Sequence, residues 1–367
     1  MKIESLEIFH IESPTLEPFV TAFGSNHVIG SLLVRIESEG IIGWGEAAPW
    51  SLPFYSPEWA GGIYALARQV LAPILINQEL EGGADVQRAF APIKGNYFAK
   101  AAFDLALWDW LARKADVPLW KYLGGSQGIA DVGEDFGVVD DIEVLLKQIG
   151  RGISEGFPRT KLKIRPGWDL EMLRRVRQEF PDAVFHADAN SGYTLDDIEM
   201  FRAIDDLNLA MIEQPLAFDD LHDHAKLAKM IRTPICLDET ITSAKRAEQA
   251  IELGACGFIN IKPGRVGGLT NALQILQTAR DANVSCWIGG MLESAVGASF
   301  CIALATLPGM GYASDIFATR RFWPRDLADK EISIHAPGKI AAFEGAGVGC
   351  VPDENQLRAV TVQHCTF

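Results

Sequence analysis

The sequence has 367 residues, with 33 Lys and Arg against 48 Asp and Glu, so its formal net charge at pH 7 is −15. Hydrophobic residues make up 48% of the chain and charged residues 22%, which is typical of a globular protein with a large core. The acidic balance argues against binding to nucleic acid or to an anionic membrane, since both require a basic surface. The length predicts two domains, or one large barrel with an attached domain.

The amino terminus enters directly into an alternating strand pattern, without the apolar core of a signal peptide. No uninterrupted apolar run of the sequence approaches the ~18 residues that a membrane helix needs. The six cysteines include no C-x-x-C motif and are predicted to be free thiols. We therefore expect a soluble cytoplasmic protein, and we expect it to assemble as a homo-oligomer.

The first 60 residues have the pattern of strands and loops. A strand begins near Ile3, and residues 30–46 alternate as a hairpin that turns at Gly40. Two loops rich in proline and aromatic residues, 18–24 and 49–55, interrupt the strands.

The pattern becomes helical after residue 61. Residues 98–114 form an Ala-rich segment that is apolar on nearly every face, which is typical of a buried helix. We predict an α+β domain over residues 1–125, with the carboxyl-terminal segment 325–367 packing back on it.

Short β-rich runs alternate with longer helical patterns from about residue 130 onward. The runs are 160–164, 184–188, 209–213, 234–238, 258–262 and 285–289, with another around 312–316. Strands separated by helices of 10–15 residues indicate βα units and a parallel sheet. About seven units in succession favour a closed barrel over an open sheet, and we assign residues 126–324 to it.

Five charged residues close five successive runs at a nearly constant spacing. They are Lys163, Asp188, Glu213, Asp238 and Lys262, separated by 25, 25, 25 and 24 residues. Charged side chains do not fit the packed interior of a barrel, so they are expected at its carboxyl-terminal mouth, where barrel active sites lie. The spacing therefore predicts one cavity that contains all five.

Three carboxylates from adjacent strands repel one another unless a cation lies between them. Their hard oxygen atoms favour Mg²⁺, with Mn²⁺ as a possible substitute. Zinc is disfavoured because no His or Cys belongs to the set. His186 shares a strand face with Asp188, and we expect it to pack inside the barrel rather than to bind metal.

Lysines flank the predicted metal site on both sides. Lys161 and Lys163 share one face of a strand, and Lys262 faces them from another. Repulsion from a metal and from neighbouring ammonium groups would lower the pKa of a lysine, so that it could remove the proton α to a carboxylate. A base on each face permits racemisation, and a β-leaving group would permit elimination instead.

The set Lys161-x-Lys163, Asp188-x-Asn190, Glu213-Gln214-Pro215, Asp238-Glu239 and Lys262-Pro263-Gly264-Arg265 resembles the enolase superfamily, in its muconate-lactonizing subgroup. Residues 160–169 and 289–294 are similar to the o-succinylbenzoate synthase / N-acylamino acid (N-succinylamino acid) racemase family within that subgroup. The resemblance implies an α/β fold, a modified TIM barrel (β/α)7β with an N-terminal α+β capping domain. It also implies a Mg²⁺-dependent lyase or isomerase that acts through an enediolate, and for the synthase a place in menaquinone biosynthesis.

The resemblance also implies roles for individual residues. Asp188, Glu213 and Asp238 would hold Mg²⁺, with Asn190 and Glu239 supporting them. Lys163 and Lys262 would be the acid–base pair of the reaction. A small carboxylate substrate would be bound by Lys161 and Arg265 and enclosed by Phe19, Phe23, Tyr55, Met291 and Leu292.

The strand before the Lys-x-Lys pair departs from the family pattern, because it carries Glu134 and Asp135. Asp135 is expected to face the substrate, where a carboxylate would repel a succinyl tail and would suit a basic or amide-bearing ligand. The arginine-rich segment 320–325 is expected to be a solvated surface loop.

Other functions compete with this interpretation. A muconate cycloisomerase-like enzyme or a dipeptide epimerase would use the same residues, although an epimerase should carry Asp-x-Asp at the barrel tip, which here reads Gly-Met-Leu-Glu over residues 290–293. A Schiff-base aldolase could use Lys163 or Lys262 but leaves the three carboxylates unexplained. A barrel that serves only for binding would not need the complete set of carboxylates and lysines.

Overall fold

The computed structural model of the chain describes residues 1–21, 24–76, 78–139 and 141–367. Its strands are β1 Ser5–Thr21, β2 Gly24–Ser38, β3 Ile41–Ala47, β4 Ile129–Asp131, β5 Glu134–Phe136, β6 Thr160–Lys163, β7 Phe185–Asp188, β8 Ile212–Glu213, β9 Ile235–Leu237, β10 Phe258–Ile261, β11 Ser285–Ile288, β12 Ile334–Ala336, β13 Lys339–Ala341 and β14 Thr361–Thr366. Its α-helices are α1 Ala60–Leu66, α2 Ala72–Leu75, α3 Gly83–Ala89, α4 Tyr97–Lys114, α5 Leu119–Tyr122, α6 Ile142–Ser154, α7 Leu170–Glu179, α8 Ile198–Ile204, α9 Leu221–Leu227, α10 Ala244–Leu253, α11 Leu269–Asp281, α12 Ala295–Ala305 and α13 Glu354–Val360. A π-helical turn, Ala67–Leu71, joins α1 to α2.

The amino-terminal strands form an antiparallel sheet in the order β14-β1-β2-β3. The hairpin of β1 and β2 extends further than predicted, because Phe19 pairs with Asn26 and Thr21 with Gly24. The prediction of a loop at 18–24 is therefore wrong for the described part of that segment. An irregularity between Pro14 and Phe19 interrupts the ladder where prolines cannot donate a hydrogen bond, and the pairing resumes beyond it.

Helix α4 covers this sheet and confirms the predicted buried helix. Most of its residues are buried, including Phe103 and Trp110. Two glycines of β3 allow the close approach: a Cβ atom at Gly43 would overlap the backbone of Ala106, and one at Gly45 would overlap that of Ala102. The helix therefore packs directly against the strand backbone.

The rest of the chain forms the predicted (β/α)7β barrel. Seven parallel strands follow one another in the order β5 to β11, with helices α6 to α12 after them. The segment at residues 310–316 closes the ring. The amide of Asp315 donates to Ile288 O of β11 at 2.8 Å, and on the other side Gly133 N donates to Ser314 O at 3.0 Å. The carboxyl ends of eight extended segments thus meet at one mouth.

The end of the chain returns to the amino-terminal sheet. In β14, Cys365 pairs with Ile8 of β1, and β13 pairs with β4 at the start of the barrel region. This pairing supports the division into a capping domain of residues 1–125 with 325–367 and a barrel of 126–324, which stays a proposal. Among the described residues, no helix is both long enough and apolar enough to cross a bilayer.

Candidate active site

Side chains at the barrel mouth and in the loop after β3 surround a cavity of about 530 Å³ that is partly open to solvent. It is lined by Trp50, Tyr55, Asp135, Lys161, Lys163, Asn190, Lys262, Gly290, Met291, Leu292, Asp315 and Phe317. Eight of these were predicted from the sequence, namely Tyr55, Asp135, Lys161, Lys163, Asn190, Lys262, Met291 and Leu292. The side chain of Phe19 and the whole of Phe23 lie outside the described residues, so their roles stay predictions.

Three carboxylates stand behind the cavity wall at the ends of consecutive strands. Asp188 ends β7 and Glu213 ends β8, and the two residues are partners in register. Asp238 follows β9. Each is at most 1% exposed. Because burying like charges is unfavourable without compensation, the neighbouring cations determine the electrostatics of this site.

Lys161 and Lys163 both reach this group from β6. Lys161 Nζ lies 2.9 Å from Asp188 Oδ2, 2.8 Å from Glu213 Oε2 and 3.1 Å from Asp315 Oδ2. Lys163 Nζ donates to Asp188 Oδ2 at 2.6 Å and to Asn190 Oδ1 at 2.8 Å. The two lysines converge because side chains two residues apart on a strand share a face.

Lys262 is held on the other side of the cavity. Its ammonium group donates to Asp238 Oδ2 at 2.9 Å and to the Tyr55 hydroxyl at 3.1 Å. The same hydroxyl donates to Asp238 Oδ1 at 3.0 Å. A residue of the loop after β3 thus completes the surroundings of a barrel lysine.

Arg265 lies behind this group and does not line the cavity. Its guanidinium pairs with Asp238 Oδ1 and donates to the Tyr55 hydroxyl at 2.9 Å. Its other nitrogens donate to the backbone carbonyls of Ile241 and Asn260. The contact with substrate predicted for Arg265 stays a prediction, and the contacts seen here act on Asp238 and Tyr55.

The carboxylates control the proton affinity of the lysines. Burial lowers the pKa of Lys163, but the carboxylates of Asp188, Asp135 and Glu213 together outweigh this, and the pKa is raised above its usual value. Burial also lowers the pKa of Lys262, and the charge of Asp238 acts in the opposite direction. The pKa of Lys262 is again raised above its usual value. The protein groups alone therefore do not produce the lowered lysine pKa expected from the sequence. Further positive charge near Asp188 and Asp238 would be needed.

Asn190 and Glu239 form a polar layer beside the carboxylates. Asn190 N donates to Asp188 Oδ1 and Asn190 Nδ2 donates to Glu239 Oε1, both at 3.0 Å. Burial, followed by the charges of Asp238 and Asp188, raises the pKa of Glu239 to about 8. Asn190 thus contacts Asp188 directly and Glu239 contacts Asn190, and their role in supporting the carboxylates stays a prediction.

Asp315 is a cavity residue that the sequence reasoning missed. It pairs with Arg159 and accepts a hydrogen bond from Lys161. A signal existed, because Asp315 lies 53 residues after Lys262, about twice the period of the other charges. The intervening strand β11 is followed by Gly289, so the series of charges skips one strand.

Two further predictions have different outcomes. His186 is fully buried, with Nδ1 3.0 Å from the Tyr312 hydroxyl and its ring against Trp287, as expected of a packed histidine.

In the segment 320–325, Arg320 is exposed as predicted, but Arg321 is not a solvated residue. Arg321 pairs with Glu134 at 2.7 Å and donates to the backbone carbonyl of Asp135, so it anchors β5.

Two family models match most of the chain. Residues 5–124 match the N-terminal domain of the mandelate racemase / muconate lactonizing enzyme family. Residues 145–356 match the enolase C-terminal domain-like family. The first match covers the sheet with its helices, and the second covers most of the barrel.

Individual relatives match the chain nearly from end to end. An o-succinylbenzoate synthase from Geobacillus kaustophilus is 40% identical over 362 residues, which cover 98% of this chain and 96% of the relative. An N-succinylamino acid racemase from Thermus thermophilus is 40% identical over 349 residues, which cover 95% of this chain and 94% of the relative. The crystal structure of an enolase superfamily member from Listeria innocua matches with a TM-score of 0.96 and 34% identity, covering 100% of this chain and 99% of that chain.

Proposed function

We propose that this chain, which belongs to the mandelate racemase / muconate lactonizing enzyme family of the enolase superfamily, removes the proton next to the carboxylate of a small substrate. The chain is an enzyme of the lyase or isomerase type. The specific reactions that we propose are racemisation of N-acylamino acids, dehydration to o-succinylbenzoate, or both.

The placement of Lys163 and Lys262 carries this proposal. They belong to β6 and to the end of β10, which are four strands apart in a ring of eight extended segments and therefore lie across the barrel from each other. Both line the same cavity. A substrate carbon held between them can lose a proton to one lysine and gain a proton from the other, which inverts its configuration.

The carboxylates Asp188, Glu213 and Asp238 are proposed to hold Mg²⁺, or Mn²⁺ in its place. Their oxygen atoms are the ligands that these ions prefer. The position of Lys161 supports a cation site at these carboxylates. Its ammonium lies between Asp188 and Glu213, at a point where two carboxylates stabilise a positive charge. In the described arrangement the carboxylates pair with lysines and Arg265, and the described residues contain no ready-made cluster of three or more His, Cys, Asp or Glu ligands.

Metal binding would therefore require Lys161 to withdraw from between Asp188 and Glu213. Its ammonium would then be available to the substrate carboxylate from the cavity side. The bound ion would supply Lewis-acid stabilisation of the negative charge that develops on the substrate carboxylate. Asn190 would fix Asp188 and Lys163 through the hydrogen bonds described above, and Trp50 with Met291 would exclude water from one wall.

The proposal is tested by α-proton exchange in D₂O, followed by NMR with N-succinyl and N-acetyl amino acids and, in parallel, the synthase substrate. We expect EDTA to abolish exchange and Mg²⁺ or Mn²⁺ to restore it. The matched control variant is Lys163→Arg, which keeps the positive charge at this position but does not place a basic group where the Lys163 amine lies. Exchange that persists in thoroughly metal-stripped protein would exclude the metal-dependent mechanism. Absence of exchange with every amino acid compound, together with absence of dehydration of the synthase substrate, would exclude the proposed reactions.

We also propose that the enzyme acts in the cytoplasm as a homo-oligomer. All six cysteines are unpaired in the structure, which fits a reducing compartment. Light scattering of the purified chain would measure the mass of the assembly, and a monomer mass of 40.1 kDa would contradict the oligomer.

A further inference from the structure

Asp135 is a cavity residue that the proposed chemistry does not use. It is the middle residue of β5, and it pairs in register with Lys161 of β6. Its neighbour Glu134 lies on the other face of the strand, against Gly152 of α6, where it pairs with Arg321. The alternation of the strand thus sends the Asp135 carboxylate into the cavity, and Arg321 anchors the strand from outside.

The other carboxylates around the cavity have cationic partners. Asp188 lies 2.6 Å from Lys163, and Asp238 lies 2.9 Å from Lys262. Asp315 pairs with Arg159 and lies 3.1 Å from Lys161. These pairs offset the cost of burying each charge.

Asp135 has no such partner among the described residues. Its Oδ1 atom is buried and accepts no hydrogen bond from any described group. Lys161 is its neighbour in register, but the Lys161 ammonium is already shared among Asp188, Glu213 and Asp315. The Lys161 charge acts on Asp135 from the neighbouring strand, with smaller contributions from Lys163 and Arg321. No described group donates a hydrogen bond to its buried Oδ1 atom, and a cationic ligand can supply that donor.

The surroundings select the sign of that ligand group. Asp135 makes its part of the cavity repel a second carboxylate of the substrate, whereas Asp315 is already paired with Arg159 and Lys161. Trp50, Met291, Leu292 and Phe317 provide an apolar wall in the same cavity, along which an aliphatic chain can pack. A long side chain that ends in a positive group fits both features.

We propose that Asp135 binds an ammonium or guanidinium group of the substrate, so that the enzyme prefers N-acyl derivatives of basic amino acids. This inference rests on the proposed function and specifies its substrate class. Asp135 then acts as a specificity residue, and it takes no part in proton transfer.

The test compares N-acetyl-L-lysine with N-acetyl-L-norleucine, which has the same side chain without the amine, and adds N-acetyl-L-arginine; the acetyl group avoids the repulsion that Asp135 would exert on a succinyl tail. The kcat/KM for α-proton exchange is measured with the Mg²⁺-loaded enzyme. We expect the lysine or arginine compound to exceed the norleucine compound by about tenfold or more. Asp135→Asn should reduce this ratio by about tenfold, with the norleucine value changed by less than about threefold. The control Glu134→Gln removes a carboxylate from the opposite strand face but keeps the hydrogen bond from Arg321 to the Asp135 backbone carbonyl, so the ratio should be unchanged.

Two results would overturn the inference. One is a wild-type ratio near one, and the other is an equal loss on both compounds in Asp135→Asn, which would mean that Asp135 positions Lys161 instead. If no compound exchanges its proton, the proposed function fails separately. Calorimetric binding of the same compounds then decides the inference: tighter binding of the lysine compound that is lost in Asp135→Asn supports it, and equal binding contradicts it.

Discussion

The two lysines that face each other across the cavity are held by different parts of the molecule. Among the residues that the structure describes, Lys163 donates hydrogen bonds only to barrel residues, Asp188 and Asn190. Lys262 donates to Asp238 and also to Tyr55, which comes from the loop after β3. The ring of Tyr55 lies 4.5 Å from the Lys262 ammonium as well.

This difference indicates that the two lysines of one site are positioned by different parts of the fold. The barrel alone is sufficient to position Lys163, because its partners end β7 or follow it directly. The environment of Lys262 is complete only when the loop after β3 docks on the barrel mouth. Changes in that loop should therefore affect the two proton-transfer directions unequally.

The largest effect is expected from removing each lysine in turn. A positioned general base contributes about 10²–10⁴-fold to a rate. We expect Lys163→Ala and Lys262→Ala each to lose proton exchange with one enantiomer by this factor, and both to lose racemisation. NMR exchange started separately from the L and the D compound measures this. A variant that still racemises at the wild-type rate would contradict the assignment of two bases.

A smaller and more selective effect is expected for Tyr55→Phe. The variant removes the hydroxyl that contacts Lys262, Asp238 and Arg265 but keeps the ring. We expect a loss of about tenfold for the enantiomer served by Lys262 and less than about threefold for the other. Trp50→Phe is the matched control, because it removes the hydrogen bond from the same loop to Met291 O. Equal losses for both enantiomers in Tyr55→Phe would mean that the loop shapes the whole cavity.

A change of several-fold is expected when the positive charge of Lys161 is removed. The Lys161 ammonium pairs with Asp188 and Glu213, so it would compete with the proposed divalent cation for these carboxylates. We expect Lys161→Met to bind Mg²⁺ about three- to tenfold more tightly in calorimetry of metal-stripped protein, although its activity falls. Lys163→Met provides the comparison from the same strand. Weaker Mg²⁺ binding by Lys161→Met would show that the two cations do not compete.

The barrel side of this comparison was largely predictable from the sequence. Parallel strands of equal spacing bring their carboxyl ends together, so the period of 24–25 residues was sufficient to bring Lys163 and Lys262 to one cavity, with Asp188 behind its wall. Asp135 followed from its place in the preceding strand. These inferences needed only chain order and strand geometry.

The contacts of the cap were not predictable in the same way. The resemblance placed Tyr55 near the substrate, but its bonds to Lys262 and Asp238 depend on how a loop docks on residues about 180–210 positions later in the chain. Arg265, which was predicted to bind substrate, lies behind the cavity wall, where its guanidinium is bound by Asp238 and by backbone carbonyls. Sequence periodicity carries no information on such tertiary contacts.

The smallest effect is expected where β3 contacts the start of α12, because the surroundings of Lys262 depend on the docking of the capping domain on the barrel. Glu46 of β3 is buried and accepts hydrogen bonds from Ser31, from Ser294 and, at 3.0 Å, from Gly297 N at the start of α12. Burial outweighs these bonds and raises the pKa of Glu46 to about 7. Because the pKa is then higher in the folded than in the unfolded chain, the folded state binds the extra proton, and stability falls as pH rises toward 7.

We therefore expect the unfolding free energy of the wild type to fall by about 1 kcal/mol between pH 6 and pH 7, relative to Glu46→Gln. Urea denaturation at both pH values measures this difference. Ser31→Ala serves as the control, because it loses one bond to Glu46 and keeps the titrating group. Parallel pH profiles for the wild type and Glu46→Gln would mean that the hydrogen bonds at the start of α12 keep Glu46 ionised. The docking of the cap beside Lys262 would then be insensitive to pH in this range.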